Sequence, residues 1–325
     1  MKHLQTFRLI EHVARAGSIR RAAEDMNITS SALNRRILSF EEEFGAQIFE
    51  RLPRGVRLNP AGELLIQHIR TQSFDLERLR SQVADLSGVR RGHVTVACSQ
   101  ALQPYFLPAE IARYRAEHPG VTFSVKVRDR EAAERDLGAF LTDLALVFEP
   151  VHLVDFEVLV SVPQPVFAVM ARAHPLAAKA ELRLRDCLDQ PHVLPSQEYG
   201  VRHLLELATR GGSRRLAPIV ESDSFEFMRH YALHEGAISF QIPIGLDPRP
   251  DQALAVRPIS ARDVPPGHLL LGQMRGRALP VAAGRFADQL ATALATGGPY
   301  AEPAARAKPA AAQGSRQRPA RPARP

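Results

Sequence analysis

The sequence has no tryptophan and only two cysteines, Cys98 and Cys187. Two thiols are too few for a disulfide framework or a four-cysteine zinc site, and such scarcity is typical of a reducing compartment. No run of about 18 apolar residues occurs, so no segment is long enough to cross a membrane as a helix. The first residues also lack the apolar stretch of a signal peptide. We therefore expect a cytoplasmic protein that makes no membrane contact.

The motifs of the common enzyme classes are missing as well. The chain contains no Gly-x-Ser-x-Gly elbow, no P-loop, no Gly-x-Gly-x-x-Gly fingerprint and no His-Glu-x-x-His pair. Its twelve histidines are scattered, and no His/Cys spacing requires a metal ion. We therefore predict that the protein is not an enzyme and has no catalytic residues, no metal site and no cofactor.

The net charge of +7 is unevenly distributed along the 325 residues. From Gly297 to the end, six basic residues stand against a single acid, Glu302, whereas residues 1–60 hold ten basic and seven acidic residues. The total charge therefore says little about nucleic-acid binding, and the positions of the charges must decide.

Four segments of the chain differ in pattern. Residues 1–60 show short helical patterns with tight breaks, and residues 61–88 continue as one long helical stretch. Residues 93–296 alternate apolar runs with amphipathic helices, which is typical of α/β layers. Residues 297–325 are rich in Ala, Pro and Arg, with no apolar residue larger than alanine beyond Tyr300. We expect this tail to be disordered.

Three short helices are predicted before residue 45. The first carries apolar residues at helical spacing and ends at Gly17. Ser18 is a suitable N-cap for the second helix, and Thr29 is a suitable N-cap for the third. The segment from Ser18 to Ile37 therefore has the spacing of a helix-turn-helix, whose second helix enters the major groove of DNA.

The third helix carries polar side chains suited to DNA. Its inward face is apolar, which leaves five candidate contacts facing outward or to the flanks: Ser30, Ser31, Asn34, Arg35 and Arg36. Arginine matches guanine, asparagine can pair with adenine, and hydroxyl groups bind phosphate. Residues 49–58 read as a hairpin that adds three further candidates, Arg51, Arg54 and Arg57. The alternative is a structural three-helix module whose arginines are merely solvated.

A single helix is predicted from Pro60 to about Leu86, with an apolar seam at heptad spacing. The seam has one polar interruption, and its members are Leu65, Ile69, Gln72, Leu76, Leu79, Val83 and Leu86. This length and spacing favour a helix that pairs with a second copy of the chain. The alternative is that the stripe packs on the chain's own core.

The segment beyond residue 93 predicts two α/β halves. Strands at 94–98, 121–127 and 143–148, with helices at about 99–118 and 131–141, form a βαβαβ unit. The second half includes a strand at 165–170 and a helix from about Gly200 to Thr209. The apolar run 269–271 and a helix from Pro280 to Ala295 return to the first half.

Residues 1–69 resemble the DNA-binding domain of LysR-type transcriptional regulators. The resemblance lies in an ordered series of motifs: Phe7, Gly17-Ser18, Ala22-Ala23-Glu24, Asn27-Ile28-Thr29, Ala32-Leu33, Ile37, Glu41-Glu42, Phe44-Gly45, Ile48-Phe49-Glu50-Arg51, Arg54-Gly55-Val56-Arg57-Leu58 and Pro60-Ala61-Gly62. Where that family commonly has Ser-Gln-Pro-Ala-Val/Leu-Ser, this chain has Thr29-Ser30-Ser31-Ala32-Leu33-Asn34. The base preference of relatives therefore does not transfer.

The resemblance continues less strongly to about residue 296. It implies an α/β protein with an N-terminal winged helix-turn-helix (1–60), a dimerising linker helix (61–88) and an effector-binding domain (93–296). That domain would consist of two subdomains of periplasmic-binding-protein type with an effector cleft between them. Subdomain I would span about 93–163 and 265–296, and subdomain II about 164–264.

The cleft is expected to hold an anion, because strand ends and helix N-termini present free amides there. We predict six effector-binding residues: Ser99 and Gln100 in subdomain I, and Ser196, Gln197, Arg202 and Ser222 in subdomain II. Arg202 would pair bidentately with a carboxylate. The alternatives are that the serines cap helices and that Arg202 lies in solvent. Cys98 is either a redox sensor or a small buried hydrophobic residue, the second being the commoner role.

Together these features predict a sequence-specific DNA-binding transcriptional regulator that responds to a small, anionic metabolite. Its partners would be double-stranded DNA, a second copy in a homodimer or further copies in a homotetramer, and RNA polymerase at promoters. Two alternatives are a regulator without a small-molecule effector and a nonspecific architectural DNA-binding protein.

Overall fold

The computed structural model of the protein describes residues 2–86, 91–212, 214–247, 249 and 253–297. All but the first residue of the predicted tail at 297–325 lies outside the described residues. The N-terminal part contains α1 (Lys2–Ala16), α2 (Ile19–Asp25), α3 (Ser30–Phe44), β1 (Phe49–Leu52), β2 (Gly55–Leu58) and α4 (Pro60–Leu86).

The predicted helix caps are confirmed. The Ser18 hydroxyl accepts a hydrogen bond from the backbone N–H of Arg21, and the Thr29 hydroxyl accepts one from the N–H of Ala32. The three helices enclose a core in which the inward positions expected from helical spacing are buried, and Leu9 joins them: Ile10, Val13, Ala22, Ala23, Leu33, Ile37 and Phe40.

The hairpin of β1 and β2, which we call the wing, is fastened to the turn between α1 and α2. The N–H of Val56 donates to the carbonyl oxygen of Gly17 over 2.9 Å. Gly55 has a φ of +135°, and a Cβ there would lie 2.3 Å from the same Gly17 oxygen. Only glycine allows this approach, so residue 55 fixes the wing against the helices.

Helix α4 has the predicted bounds, but its seam divides in two. Leu65 and Ile69 are buried in the N-terminal core together with Ile66, so the prediction that they belong to an intermolecular seam is wrong for this part. They face inward because the first turns of α4 pack against the core of α1, α2 and α3. Further along, Leu79 and Val83 are each 54% exposed. The side chain of Leu86 lies outside the described part.

The elements after residue 91 follow in this order: β3 (Gly92–Cys98), α5 (Phe106–Glu117), β4 (Val121–Val127), α6 (Arg130–Gly138), β5 (Leu144–Phe148), β6 (Phe156–Gln164), β7 (Phe167–Ala171), α7 (Leu184–Leu188), β8 (Val193–Pro195), α8 (Gly200–Thr209), β9 (Val220–Ser222), α9 (Phe225–Glu235), β10 (Ser239–Gln241), β11 (Leu254–Pro258), β12 (Gly267–Met274) and α10 (Val281–Ala295). Short 3₁₀ turns occur at Gln100–Leu102, Pro175–Ala178 and Pro243–Gly245.

The first half is built on a five-stranded sheet in the order β4-β3-β5-β12-β6. Strand β3 is parallel to β4 and β5, as the βαβαβ pattern predicts, and β12 is antiparallel to β5 and β6. Strand β6 was not predicted, because this edge strand mixes exposed apolar and polar residues. The helix predicted at 99–118 is interrupted, since Pro104 lacks an N–H and disfavours helix in the preceding residue.

The second half contains an antiparallel sheet, β10-β7-β11, and a parallel pair, β8 and β9. A bridge between His192 and Ile238 connects the two groups of strands. One hydrophobic core runs through both halves and includes Val96, Leu146 and Phe240. The chain crosses between the halves after β6 and again before β12.

Candidate nucleic-acid interface and effector cleft

The exposed face of α3 carries the predicted DNA-reading residues. Leu33, Ile37 and Phe40 are buried on one side of this helix. Because successive residues of an α-helix are about 100° apart, Ser31 and Arg35 lie opposite that buried stripe. Ser30, Ser31, Arg35 and Arg36 are exposed, and Asn34 is half-buried.

The five predicted residues do not share one surface. Asn34 and Arg36 lie about 200° apart around the helix, on opposite flanks of the buried stripe. Asn34 faces the wing, because the Nη2 of Arg51 donates to its Oδ1 over 3.0 Å. Arg36 therefore cannot share the wing side of the helix with Asn34, and Arg35 lies near the centre of the exposed face.

The three arginines of the wing differ in their partners. Arg51 is bonded to Asn34, whereas Arg57 forms an ion pair with Glu50 on the neighbouring strand over 2.7 Å. Arg54 lies exposed in the turn between β1 and β2. An exposed pair such as Arg57–Glu50 contributes little to stability. Breaking this pair therefore costs little free energy, so the Arg57 guanidinium can turn toward a DNA phosphate.

Sequence reasoning missed Leu38, which is 46% exposed on the outer side of α3 between Asn34 and Arg35. An apolar side chain in the major groove can contact the methyl group of thymine. The sequence did hold a signal for it, because Leu38 is an apolar residue that does not belong to the buried stripe of α3.

A closed cavity lies between the two α/β halves. It is only about 10 Å³ in volume, and its lining includes Ser99, Arg128, Arg130, Tyr199 and Gly200. The halves approach so closely that a Cβ at residue 200 would lie 2.6 Å from the carbonyl oxygen of Phe148. In this closed arrangement the cleft has no room for a metabolite.

Two hydrogen-bonded contacts hold the halves together. The Gln100 side-chain oxygen accepts from the backbone N–H of Phe225 over 2.6 Å. Arg130 donates from Nε to the carbonyl oxygen of Glu198 in the other half over 3.3 Å, and from Nη1 to that of Glu149 in its own half over 2.8 Å. Burial lowers the pKa of the Arg130 guanidinium from its ordinary value. Its cation is hydrogen-bonded to carbonyl oxygens at a half-buried position, and the carboxylates of Glu149, Glu134, Asp129 and Glu206 lie near enough to act on it.

Helix α8 begins at this cavity and offers backbone donors to it. The side chain of its N-cap residue, Tyr199, does not cap the helix. The first hydrogen bond of the helix runs from the N–H of His203 to the carbonyl oxygen of Tyr199. The N–H groups before it have no partner within the helix, and the helix dipole makes this end attractive to anions.

Of the six predicted effector residues, the structure brings Ser99 to the cavity and Gln100 to the contact between the halves. The Ser222 hydroxyl accepts from the N–H of Ser224 over 3.0 Å in a local turn, whereas the N-cap of α9 is Ser224 itself rather than Ser222. Ser196 is half-buried and Gln197 is exposed, and neither lines this cavity.

The expectation for Arg202 requires a correction. Its residue is 6% exposed rather than solvated, and its guanidinium pairs with Glu206 over 2.7 Å and with Glu221 over 3.0 Å. Two internal carboxylates already occupy the donors that were assigned to an effector. Helical spacing could have shown Glu206, four residues further along α8, whereas Glu221 lies on a different element and could not be seen from the sequence.

Arg128, Arg130 and Tyr199 line the cavity and were missed. The available signal was the placement of two arginines directly after a parallel strand, where ligand clefts form in α/β sheets.

The cysteines are buried rather than exposed to solvent. Cys98 and Cys187 are both 0% exposed, and burial raises the pKa of each thiol to about 12. A thiol with so little thiolate reacts slowly with oxidants. Cys98 therefore fits the role of a small buried hydrophobic residue better than that of a redox sensor.

Metal sites and membrane spans are both lacking from the described residues. Within them, no three His, Cys, Asp or Glu side chains come together as a metal site. None of the helices in the described ranges is sufficiently long and apolar to span a membrane.

Comparisons with known proteins agree with the architecture. Residues 4–63 match the family model for the bacterial regulatory helix-turn-helix of the lysR family, and residues 87–295 match the model for the LysR substrate binding domain. The chain belongs to the LysR family of transcriptional regulators. The second match covers more than half of the chain, including both α/β halves.

Individual relatives in this family are distant in sequence. The HTH-type transcriptional activator CmpR of Synechocystis is 24% identical over 203 residues, which cover 62% of this chain and 66% of that relative. A full-length OxyR variant of Pseudomonas aeruginosa has a similar structure, with a TM-score of 0.63 and 21% identity over 89% of this chain and 97% of that one. Full-length CbnR in complex with its target DNA gives a TM-score of 0.61 at 16% identity, covering 88% and 98%.

Proposed function

We propose that this LysR-family regulator binds discrete sites on double-stranded DNA through α3 and the wing, as a homodimer or homotetramer. The observation that carries the proposal is the exposed polar face of α3, with Arg35 opposite the buried stripe and the wing alongside. A rigid core behind the helix supports it, which is what major-groove reading needs. The protein would act by binding rather than catalysis, in the cytoplasm, with RNA polymerase as a partner at promoters.

One observation supports binding to a duplex, and a second supports assembly of two readers. The similar CbnR structure is a complex with target DNA, so this fold is compatible with a bound duplex. On this chain, Leu79 and Val83 leave apolar surface exposed along α4. We assign residues 61–88 to dimerisation, residues 1–60 to DNA and residues 93–296 to an effector.

The effector we propose is a small anion that enters between the halves. Arg130, Ser99 and the start of α8 converge there beside Arg128, whose guanidinium is paired with Asp136 over 2.7 Å, and the closed cavity must open to admit the anion. An anion would neutralise Arg130, whose present acceptors are two carbonyl oxygens. Its binding would replace the contacts that hold the halves and so shift their relative position.

The DNA proposal is tested by footprinting on genomic fragments in the presence of excess unrelated duplex. A regulator protects discrete sites with two-fold symmetry, and Arg35→Ala removes that protection, while Arg113→Ala, on the distant helix α5, leaves it intact. Uniform protection of every fragment would instead support the nonspecific architectural alternative.

The effector proposal is tested by thermal unfolding with a panel of small carboxylates and phosphates. We expect at least one anion to raise the Tm of the full chain, and Arg130→Gln to abolish that shift. Arg210→Gln, an exposed control in the same half of the domain as α8, should retain it. A panel without any anion-dependent shift in the unaltered protein would favour a regulator that has no small-molecule effector.

A further inference from the structure

A second and larger cavity lies where the chain passes between the two α/β halves. It has a volume of about 540 Å³, within the range of small-molecule sites. The segments on either side of both crossings contribute to it, with Val162–Pro165 on the first and Pro258 and Pro266 on the second. None of the lining residues of the effector cleft belongs to it, so the two cavities are separate.

The walls of this hinge cavity are mainly apolar. Aromatic and aliphatic side chains and several prolines form them: Phe106, Phe167, Ile244, Ile259, Leu294 and the prolines at 163, 165, 243, 258 and 266. Gln164 and Glu181 are its polar side chains, and the Gln164 oxygen already accepts from the N–H of Ile244 over 3.2 Å. A ligand therefore needs an apolar body and at most one strongly polar group.

The electrostatics of the hinge cavity favour a positive charge. None of the described residues that line it is basic, whereas Glu181 contributes an exposed carboxylate. The neighbouring cation, Arg183, lies outside the lining and is held by two hydrogen bonds to Asp263. Helix α10 also ends here, with Ala293, Leu294 and Ala295 on the wall, and its last turn contains no basic residue. The carbonyl end of a helix carries a partial negative charge, so both features act in the same direction.

We propose that the hinge cavity binds an apolar organic cation, such as an amine on a compact hydrocarbon or aromatic body. Its preference is opposite to the one proposed for the effector cleft, which is lined by Arg128, Arg130 and the start of α8 together with Asp129. Because residues of both halves line the hinge cavity, its occupancy is coupled to their relative position. That regulatory consequence rests on the proposed function, whereas the binding itself does not.

Calorimetric titration of the full chain tests the proposal. The probes are 2-phenylethylamine and its approximate anionic counterpart, 3-phenylpropionate. We expect the amine to bind and the carboxylate to bind about tenfold more weakly or not at all, a difference of about 1.4 kcal/mol. Glu181→Gln should weaken amine binding about two- to fivefold, as expected for an exposed charge pair. Glu235→Gln, which removes an exposed acid from α9, should leave it unchanged.

Two further variants make the outcome decisive. Ala261→Arg places a cation on the exposed wall of the cavity and should abolish amine binding while the Tm stays the same. Equal binding of both probes, no binding of the amine at millimolar concentration, or indifference to Glu181→Gln would each overturn the proposal. If the amine binds only after removal of residues 298–325, the basic tail is the occupant and the small-molecule proposal is wrong. Because the carboxylate probe can also enter the proposed effector cleft, both titrations are repeated in Arg130→Gln, where only binding at the hinge cavity remains. None of these results depends on DNA binding, so the proposed function is tested separately.

Discussion

The amide oxygen of Asn34 on α3 accepts a hydrogen bond from the guanidinium of Arg51 on β1, with 3.0 Å between Oδ1 and Nη2. This bond joins α3 to the wing. It also orients the Asn34 amide, so that its oxygen faces the wing and its NH₂ group faces away. An asparagine that pairs bidentately with adenine uses its oxygen and its nitrogen together. With its oxygen engaged, Asn34 presents the NH₂ group and favours a base acceptor instead.

Removal of Arg51 should therefore change specificity as well as affinity. In Arg51→Ala the Asn34 oxygen becomes available, and we expect a shift toward adenine at the base pair that Asn34 contacts. Selection of bound sequences from a randomised duplex library measures this shift. Arg54→Ala is the matched control, because an exposed arginine at the wing turn should lower affinity equally for all sequences and reduce the salt slope by about 1. Identical preferred sequences for the two variants would contradict this role of Asn34.

Arg35 and Arg36 are adjacent in sequence but point to different surroundings. Arg35 lies opposite the buried stripe of α3, while Arg36 lies on the flank away from Asn34. We expect Arg35→Ala to cost about 1–3 kcal/mol of specific binding, the range for a base contact. Arg36→Ala should weaken specific and nonspecific binding alike.

Fluorescence anisotropy with a specific and a scrambled duplex separates these two losses. The ratio of specific to scrambled affinity should fall toward one in Arg35→Ala and stay unchanged in Arg36→Ala. The reverse pattern would mean that α3 enters the groove with its other flank.

The N-terminal unit was predictable because its information is local. Ser18 and Thr29 cap helices at the expected positions, and Leu33 and Ile37 are buried as their spacing requires. Local spacing did not show that Leu65 and Ile69 are used by the N-terminal core, because a heptad stripe looks the same whether its partner is the same chain or a second copy.

The cleft was less predictable because its contacts join residues far apart in the chain. Gln100 meets the backbone of Phe225, which is 125 positions away, and Arg202 meets Glu221 on a different element. An arginine in the first turn of a helix that follows a strand is a sound reason to expect anion binding at Arg202. Helical spacing reveals its partner Glu206, and the fold adds Glu221 as a second carboxylate.

Both thiols should be nearly inert in the folded protein. Burial raises the pKa of Cys98 and Cys187 to about 12, so at pH 8 the thiolate fraction is about a thousandfold below that of a thiol with a pKa of 9. We expect slow reaction with a disulfide reagent in the native state and rapid reaction of both thiols in denaturant, followed by absorbance. Ser39→Cys places a control thiol on the exposed side of α3 and should react quickly without denaturant. Rapid native labelling of Cys98, or loss of DNA binding on mild oxidation, would restore the redox-sensor alternative.

The exposed part of the α4 seam should carry the dimer. Leu79 and Val83 are each 54% exposed and four residues apart, so they form one stripe on the helix. Replacing either by aspartate would bury an unpaired charge between two helices, and we expect dimerisation to weaken about a hundredfold or more. Sedimentation velocity over a range of concentrations measures the change.

Leu64→Asp is the matched control for this experiment. Leu64 is 72% exposed on the same helix but lies outside the heptad positions, so the same substitution there should leave the dimer intact. If Leu64→Asp dissociates the protein as strongly as Leu79→Asp, the stripe has no special role. If neither does, the two copies must meet through the α/β halves, and the spacing of the two DNA readers would then be set by the effector domain rather than by α4.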